Sequence, residues 1–163
     1  MRKDRIMGRE VRRVPEDWNH PRDERTHNYT PLFDGYKQEL AEFQSRIDSH
    51  GLSDAIDYFG GGPQSEDYMP DWHESERTHY MMYEDTSEGT PISPAMESPE
   101  TLARWLADNG ASSFGSGTAT YDQWLSTCRG AWAPSMVMEG GALKSGVEFA
   151  ADHDKQQLQS DGD

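Results

Sequence analysis

A chain of 163 residues with 15 Lys and Arg against 30 Asp and Glu, a formal net charge of -15, is long enough to bury one core and too short for two. The charge argues against a surface that tracks phosphate backbones, and the lone cysteine, Cys128, excludes an intramolecular disulfide and a cysteine-based zinc site. No stretch reaches the roughly 20 apolar residues of a bilayer-spanning helix, and residues 1–7 hold no apolar signal core, so a cytoplasmic protein with no membrane contact is expected.

Only 33% of the residues are hydrophobic and the mean hydropathy is -0.97, so much of the chain must lie in polar loops or ends around a compact core. Five Trp, seven Tyr, five Phe and eight Met supply that core, because each aromatic ring buries a large area for few ordered torsions.

In chain order, residues 8–14 (GREVRRV) alternate imperfectly before Pro15, which predicts an edge strand. From Glu16 to Pro31, Trp18, His20, Pro21, His27 and Tyr29 occur without periodicity, the mark of an extended arm that packs by its aromatics. Asp34 as cap, Tyr36, Leu40, Phe43 and Ile47 on one face and Gly51 as stop predict a first helix. A short second one, capped by Ser53, ends in the hinge-like Gly60-Gly61-Gly62-Pro63. Residues 78–83 carry apolar side chains on both faces of a buried strand, and Pro91 and Pro94 hold residues 87–94 in a loop.

Two capped helices follow. Ser98-Pro99 opens one, with Leu102, Trp105 and Leu106 on a face and Asn109-Gly110 as stop. Thr118 or Thr120 opens the other, with Tyr121, Trp124, Leu125 and Cys128 on a face and Gly130 as stop. Met136-Val137-Met138 and Ala142-Leu143 flank a hairpin turn, and the polar chain after Phe149 is expected to fray. The expected architecture is α+β, a small antiparallel sheet with three main helices, in a single domain over 34–149 with an arm at 1–33 and a disordered tail at 150–163.

The charge is unevenly placed. Residues 1–40 hold nine bases and eight acids, whereas 65–100 hold ten acids and one base, Arg77. Crowded carboxylates repel one another, and a basic partner relieves that repulsion. The partner-binding residues expected here are Asp71, Trp72, Glu74, Glu76, Tyr80, Tyr83, Glu84, Asp85 and Glu88, with carboxylates for steering and aromatics as apolar anchors.

Catalytic and metal patterns are weaker. Asp71, His73, Glu74, Glu76 and His79 crowd nine residues, but the spacing of the two histidines fits neither a helical pair nor a zinc finger, and on one strand they would stand about 20 Å apart. Gly115-Ser116-Gly117 lacks the spacing of a hydrolase elbow, and the glycines at 60–62 form no phosphate loop. Cys128 lies on the apolar stripe of its helix, which reads as core. Arg9, Arg12 and Arg13, diluted by neighbouring acids, read as surface and ion-pair residues. No metal, cofactor or catalytic residue is expected.

Segments 8–21, 29–35, 66–72, 77–94, 98–125 and 130–135 (GAWAPS) together resemble a family of small proteins encoded by tailed phages and prophages, with Tyr83 to Pro94 and Leu102 to Trp124 the most specific blocks. The resemblance implies a phage setting and carries over no catalytic residue. In that setting an acidic protein is expected to bind a basic host protein, such as a nucleic-acid-processing or defence component, and to inhibit or redirect it, without touching nucleic acid itself. A virion or assembly component and a small enzyme or ligand-binding protein are the alternatives.

Overall fold

The computed structural model describes residues 8–84, 89–134, 136–139 and 142–160. Its centre is a four-stranded antiparallel sheet in the order β3-β2-β1-β6, formed by Thr90–Pro91, His79–Glu84, Gly8–Val14 and Trp132–Pro134. β1 therefore lies inside the sheet and is not the edge strand its sequence suggests. Its partners run from Arg9↔Glu84 to Val14↔His79 on one side and from Gly8↔Pro134 to Glu10↔Trp132 on the other. The charged positions hide this placement, because Arg9 and Arg12 are buried, at 3% and 4% exposure, and are not surface residues.

The sheet is covered on both faces, which is why β2 is apolar on both. Met82 packs with Leu102, Leu106, Trp124, Cys128 and Val147 from the helices, and Val11 and Tyr80 lean on the same cluster. Met81 and Tyr83, one residue out of phase, pack with Val14, Leu32 and Met69 on the opposite face. That second layer is made of irregular chain, not helix: the arm brings Trp18 and Leu32, and the segment after Pro63 brings Met69 and Trp72. The arm thus packs by its aromatics, as expected, and belongs to the core.

Helices α3 (Pro99–Asp108) and α4 (Tyr121–Gly130) start where their caps predict. Ser98 and Thr120 each accept from the backbone N–H three residues on, with the side chains of Thr101 and Gln123 returning the bond. Between them Ser112–Phe114 and Gly117–Thr118 form an unexpected hairpin, β4–β5, pinned by Arg9 Nε donating to the Ser112 carbonyl at 2.9 Å. The predicted hairpin is β7–β8, Met136–Glu139 and Ala142–Ser145.

The chain after Phe149 does not fray at once. Gly146–Ser160 is a helix, α5, that seats Val147 and Ala151 against α4 and β6. Ser145 and Glu148 form its capping box: the Ser145 hydroxyl accepts from Glu148 N at 3.2 Å, and the Glu148 carboxylate accepts from Ser145 N at 3.0 Å.

Helix α1 (Tyr36–His50) forms where its periodicity predicts but buries none of its residues. Its N-cap is Gly35 in the left-handed region; among the described residues the Asp34 carboxylate accepts only from the Gly35 N–H, and it does not cap the helix. α1 pairs with α2 (Leu52–Phe59) through Phe43 and Phe59, whose rings meet edge to face at 5.5 Å. The two make an αα-hairpin attached to the body at its foot, where the rings of Tyr36 and Phe33 both meet that of Tyr68 at a tilt. Among the described residues no helix is long and apolar enough to cross a membrane.

Candidate functional site

The acidic residues singled out by the sequence fall on the loop layer and on β2, and several already face cations of this chain. Asp71 pairs with Lys37 and Arg77, and the Lys37 hydrogen bond, then the charges of Lys37 and Arg77, lower its pKa. Glu74, in a short 3-10 turn over Glu74–Glu76, pairs with Arg13. Glu76 accepts from His73 N at 2.9 Å and closes that turn's capping box. Glu84 stands 3.9 Å from the buried Arg9. Arg77 lies within the acidic run itself, but the sequence spacing could not reveal the other pairings, because Arg9 and Arg13 come from β1 and Lys37 from α1.

The aromatic anchors divide. Trp72 is half-buried and meets Trp18 edge to face at 4.7 Å, and Tyr80 is half-buried beneath the Arg13 guanidinium. Tyr83 is fully buried, which corrects its placement as a partner contact: its position on β2 points it into the loop-side core. Asp85 and Glu88 lie outside the described residues. Among the described residues no three His, Cys, Asp or Glu side chains converge as metal ligands. Cys128 is buried, and burial pushes its thiol up to about 12.

Two features stand out that the sequence did not single out. The first is the surface of the αα-hairpin. Leu40, Leu52, Ile56 and Tyr58 are each more than 40% exposed there, at 42%, 56%, 43% and 43%. Leu52 and Ile56 share one flank of α2, one turn apart, while Ala55 and Phe59 turn toward α1. Residues 36–67 contain seven acids against two bases, and Asp57, Glu66 and Asp67 make no ion pair among the described residues. Tyr58 lies on another side of α2, under the Arg46 guanidinium, so the exposure is visible in the sequence as apolar residues spread too widely round the helix for a two-helix contact to cover.

The second is an open cleft of about 620 Å³ at the β3 edge of the sheet, between the arm and α3. Trp18, His20 and Tyr29 form one wall, Pro91 to Ala95 the floor, and Trp105 the other wall. His20 is 2% exposed and both its ring nitrogens are engaged, so it is a structural wall and not a free base. Arg22 lies over the Tyr29 ring at 3.7 Å, and the left-handed His27 turns the tight hairpin that carries both.

No family model, curated protein or solved structure matches this chain.

Proposed function

We propose that this is a phage-encoded binding protein, without catalysis of its own, that docks a basic host protein and inhibits or redirects it. The docking surface is the α1–α2 hairpin together with the acidic strip at its foot. One observation carries the reading: a protruding hairpin exposes Leu40, Leu52, Ile56 and Tyr58 and, with the segment at its foot, carries an excess of five negative charges, seven acids less two bases, over residues 36–67. Exposed apolar side chains supply a centre that can be desolvated, and surrounding carboxylates speed the encounter with a basic surface and reject an acidic one. A second copy of this chain is the poorer occupant, because two such faces carry like charge.

The surface sits nearer the start of the chain than the acidic run at 65–100, whose Asp71, Glu74 and Glu84 already have cationic neighbours. Charge reversal at Glu84 is unsuitable as a test, since a lysine there would stand beside buried Arg9. The suitable experiment is capture from host lysate by tagged protein, with mass spectrometry and a salt gradient. Wild type retains a basic protein that salt releases. Leu52→Ser/Ile56→Ser and Asp57→Lys/Glu66→Lys/Asp67→Lys each lose it while keeping the wild-type circular dichroism. Retention by both variants, with unchanged salt dependence, rules out this surface; failure to retain any basic protein rules out the function.

A further inference from the structure

The cleft beside Trp18 is separate from the hairpin: no residue of α1 or α2 lines it. Its walls are flat rings, and among the described residues its one formally charged lining group is Glu16, which is exposed and makes no ion pair with them. Two donors on its rim, the indole N–H of Trp105 and the side-chain amide of Asn19, make no hydrogen bond among the described residues. The strand edge beneath is a poor template for another strand: Pro91 and Pro94 have no N–H, the Ile92 N–H is spent on the Met82 carbonyl at 2.8 Å, and only Ser93 remains to donate a backbone N–H between 91 and 94. A ligand is therefore held by side chains, and it should bring acceptors, flat apolar rings and a positive charge.

We propose that this cleft binds an extended, proline-containing peptide segment that carries one lysine or arginine. A polyproline II segment has no internal hydrogen bonds and points its carbonyls outward, so its acceptors meet Trp105 Nε1 and the Asn19 amide while its pyrrolidine rings lie against Trp18, Tyr29 and Trp105. The basic side chain faces Glu16. His20 does not oppose that charge, because burial and the cations of Arg12 and Arg22 keep its imidazole neutral near pH 7. Neither arginine neutralises Glu16: Arg12 is paired with Glu10, and Arg22 is stacked on Tyr29 and donates to the His27 carbonyl.

The probe is the peptide acetyl-Pro-Pro-Lys-Pro-Pro-amide, titrated into the full chain and followed by tryptophan fluorescence and by the indole N–H resonances in NMR. Saturable one-to-one binding is expected, with the Trp105 indole resonance moving most. Trp105→Phe, which keeps a ring and removes the donor, weakens binding about fivefold, and Asn19→Ala does the same at an exposed position outside the core clusters. Glu16→Gln weakens it about threefold and abolishes its salt dependence. Exchanging the four prolines for alanine lowers affinity about tenfold, through the lost preorganisation of the ligand. The proposal is overturned by absence of saturable binding, by equal binding to all three folded variants, or by lysine amide alone binding as tightly as the probe, which would make this a site for free cations.

Discussion

The Tyr83 hydroxyl stands 3.1 Å from Nδ1 of His20 and 3.1 Å from Nε1 of Trp18, so one buried oxygen ties two arm residues to the middle of the sheet. The Thr30 carbonyl, 2.7 Å from Nε2 of His20, can only accept; Nε2 therefore carries the proton, and Nδ1 accepts from Tyr83. Tyr83→Phe leaves the indole N–H and Nδ1 without partners. A loss of about 1–3 kcal/mol is expected in urea unfolding, with faster proteolysis inside 16–31 than in wild type.

His20 should give the fold a pH dependence just below neutrality. Its pKa is lowered from 6.5 first by burial, with the charges of Arg12 and Arg22 acting the same way and the Thr30 hydrogen bond opposing them. The unfolded chain then binds a proton more readily than the fold does, so stability falls as pH drops from about 6.5 toward the folded-state pKa and levels off below it. Asp23, Asp71 and Glu100 also lose stabilisation in acid, but their pKa values are lowered from 3.8, 3.8 and 4.5, so that loss comes at lower pH. Urea midpoints at pH 7.5 and pH 5.0 should differ more for wild type than for His20→Gln.

Gly89 is fixed by contact as well as by conformation. Its φ is +100°, and a Cβ there would lie 1.8 Å from the Leu32 carbonyl oxygen, the same oxygen that accepts from Arg12 Nη1 at 2.8 Å. Gly89→Ala must break the Leu32 N–H to Gly89 O bond or displace Arg12, and should cost about 3 kcal/mol or more. Thermal unfolding gives the measurement, and a loss below about 1 kcal/mol would show that this loop can shift freely.

Local rules carried the elements and missed where they pack. Ser98-Pro99 and Thr120 announce α3 and α4 because a cap is a contact within four residues. The same rule was available for α5 in Ser145-Gly-Val-Glu148, but the polar sequence beyond it concealed the buried Val147 and Ala151. Imperfect alternation and Pro15 make β1 read as an edge strand, and its Arg9 and Arg12 look solvated in sequence, whereas their guanidinium groups reach carbonyls of Ser112 and Leu32 far along the chain. The candidate surfaces were the least legible part. An exposed carboxylate and one facing a cation look alike until the sheet register sets Glu84 beside Arg9.

Cys128 should be inert in the native protein. Burial raises its thiol to about 12, with the charge of Glu100 adding to the shift, and the thiolate is the reactive form. At pH 8 Ellman's reagent should label less than about one molecule in ten over an hour, and all of them once urea unfolds the core. Rapid native labelling would mean that the contact between α3 and α4 opens readily.

The end of α4 places its glycine and alanine in the reverse of the order that backbone sterics favour. Gly130 is the last helical residue and has open space where a Cβ would stand, while Ala131 takes the left-handed cap at φ 64°. Left-handed backbone costs an alanine about 1–2 kcal/mol relative to the right-handed form, and a helical glycine costs about 0.5–1 kcal/mol relative to alanine. Ala131 must keep this geometry, because its carbonyl accepts from Val11 N at 2.8 Å just before β6 joins β1. Gly130→Ala and Ala131→Gly should each stabilise the fold. The gain at 131 is the smaller, because a new glycine also raises the entropy of the unfolded chain. The double exchange should add about 1 kcal/mol, a rise of a few degrees in Tm for a chain of this size, although neighbouring sites need not add strictly. A fall in Tm for Ala131→Gly alone would mean that a contact of the Ala131 methyl outweighs the relief of its backbone.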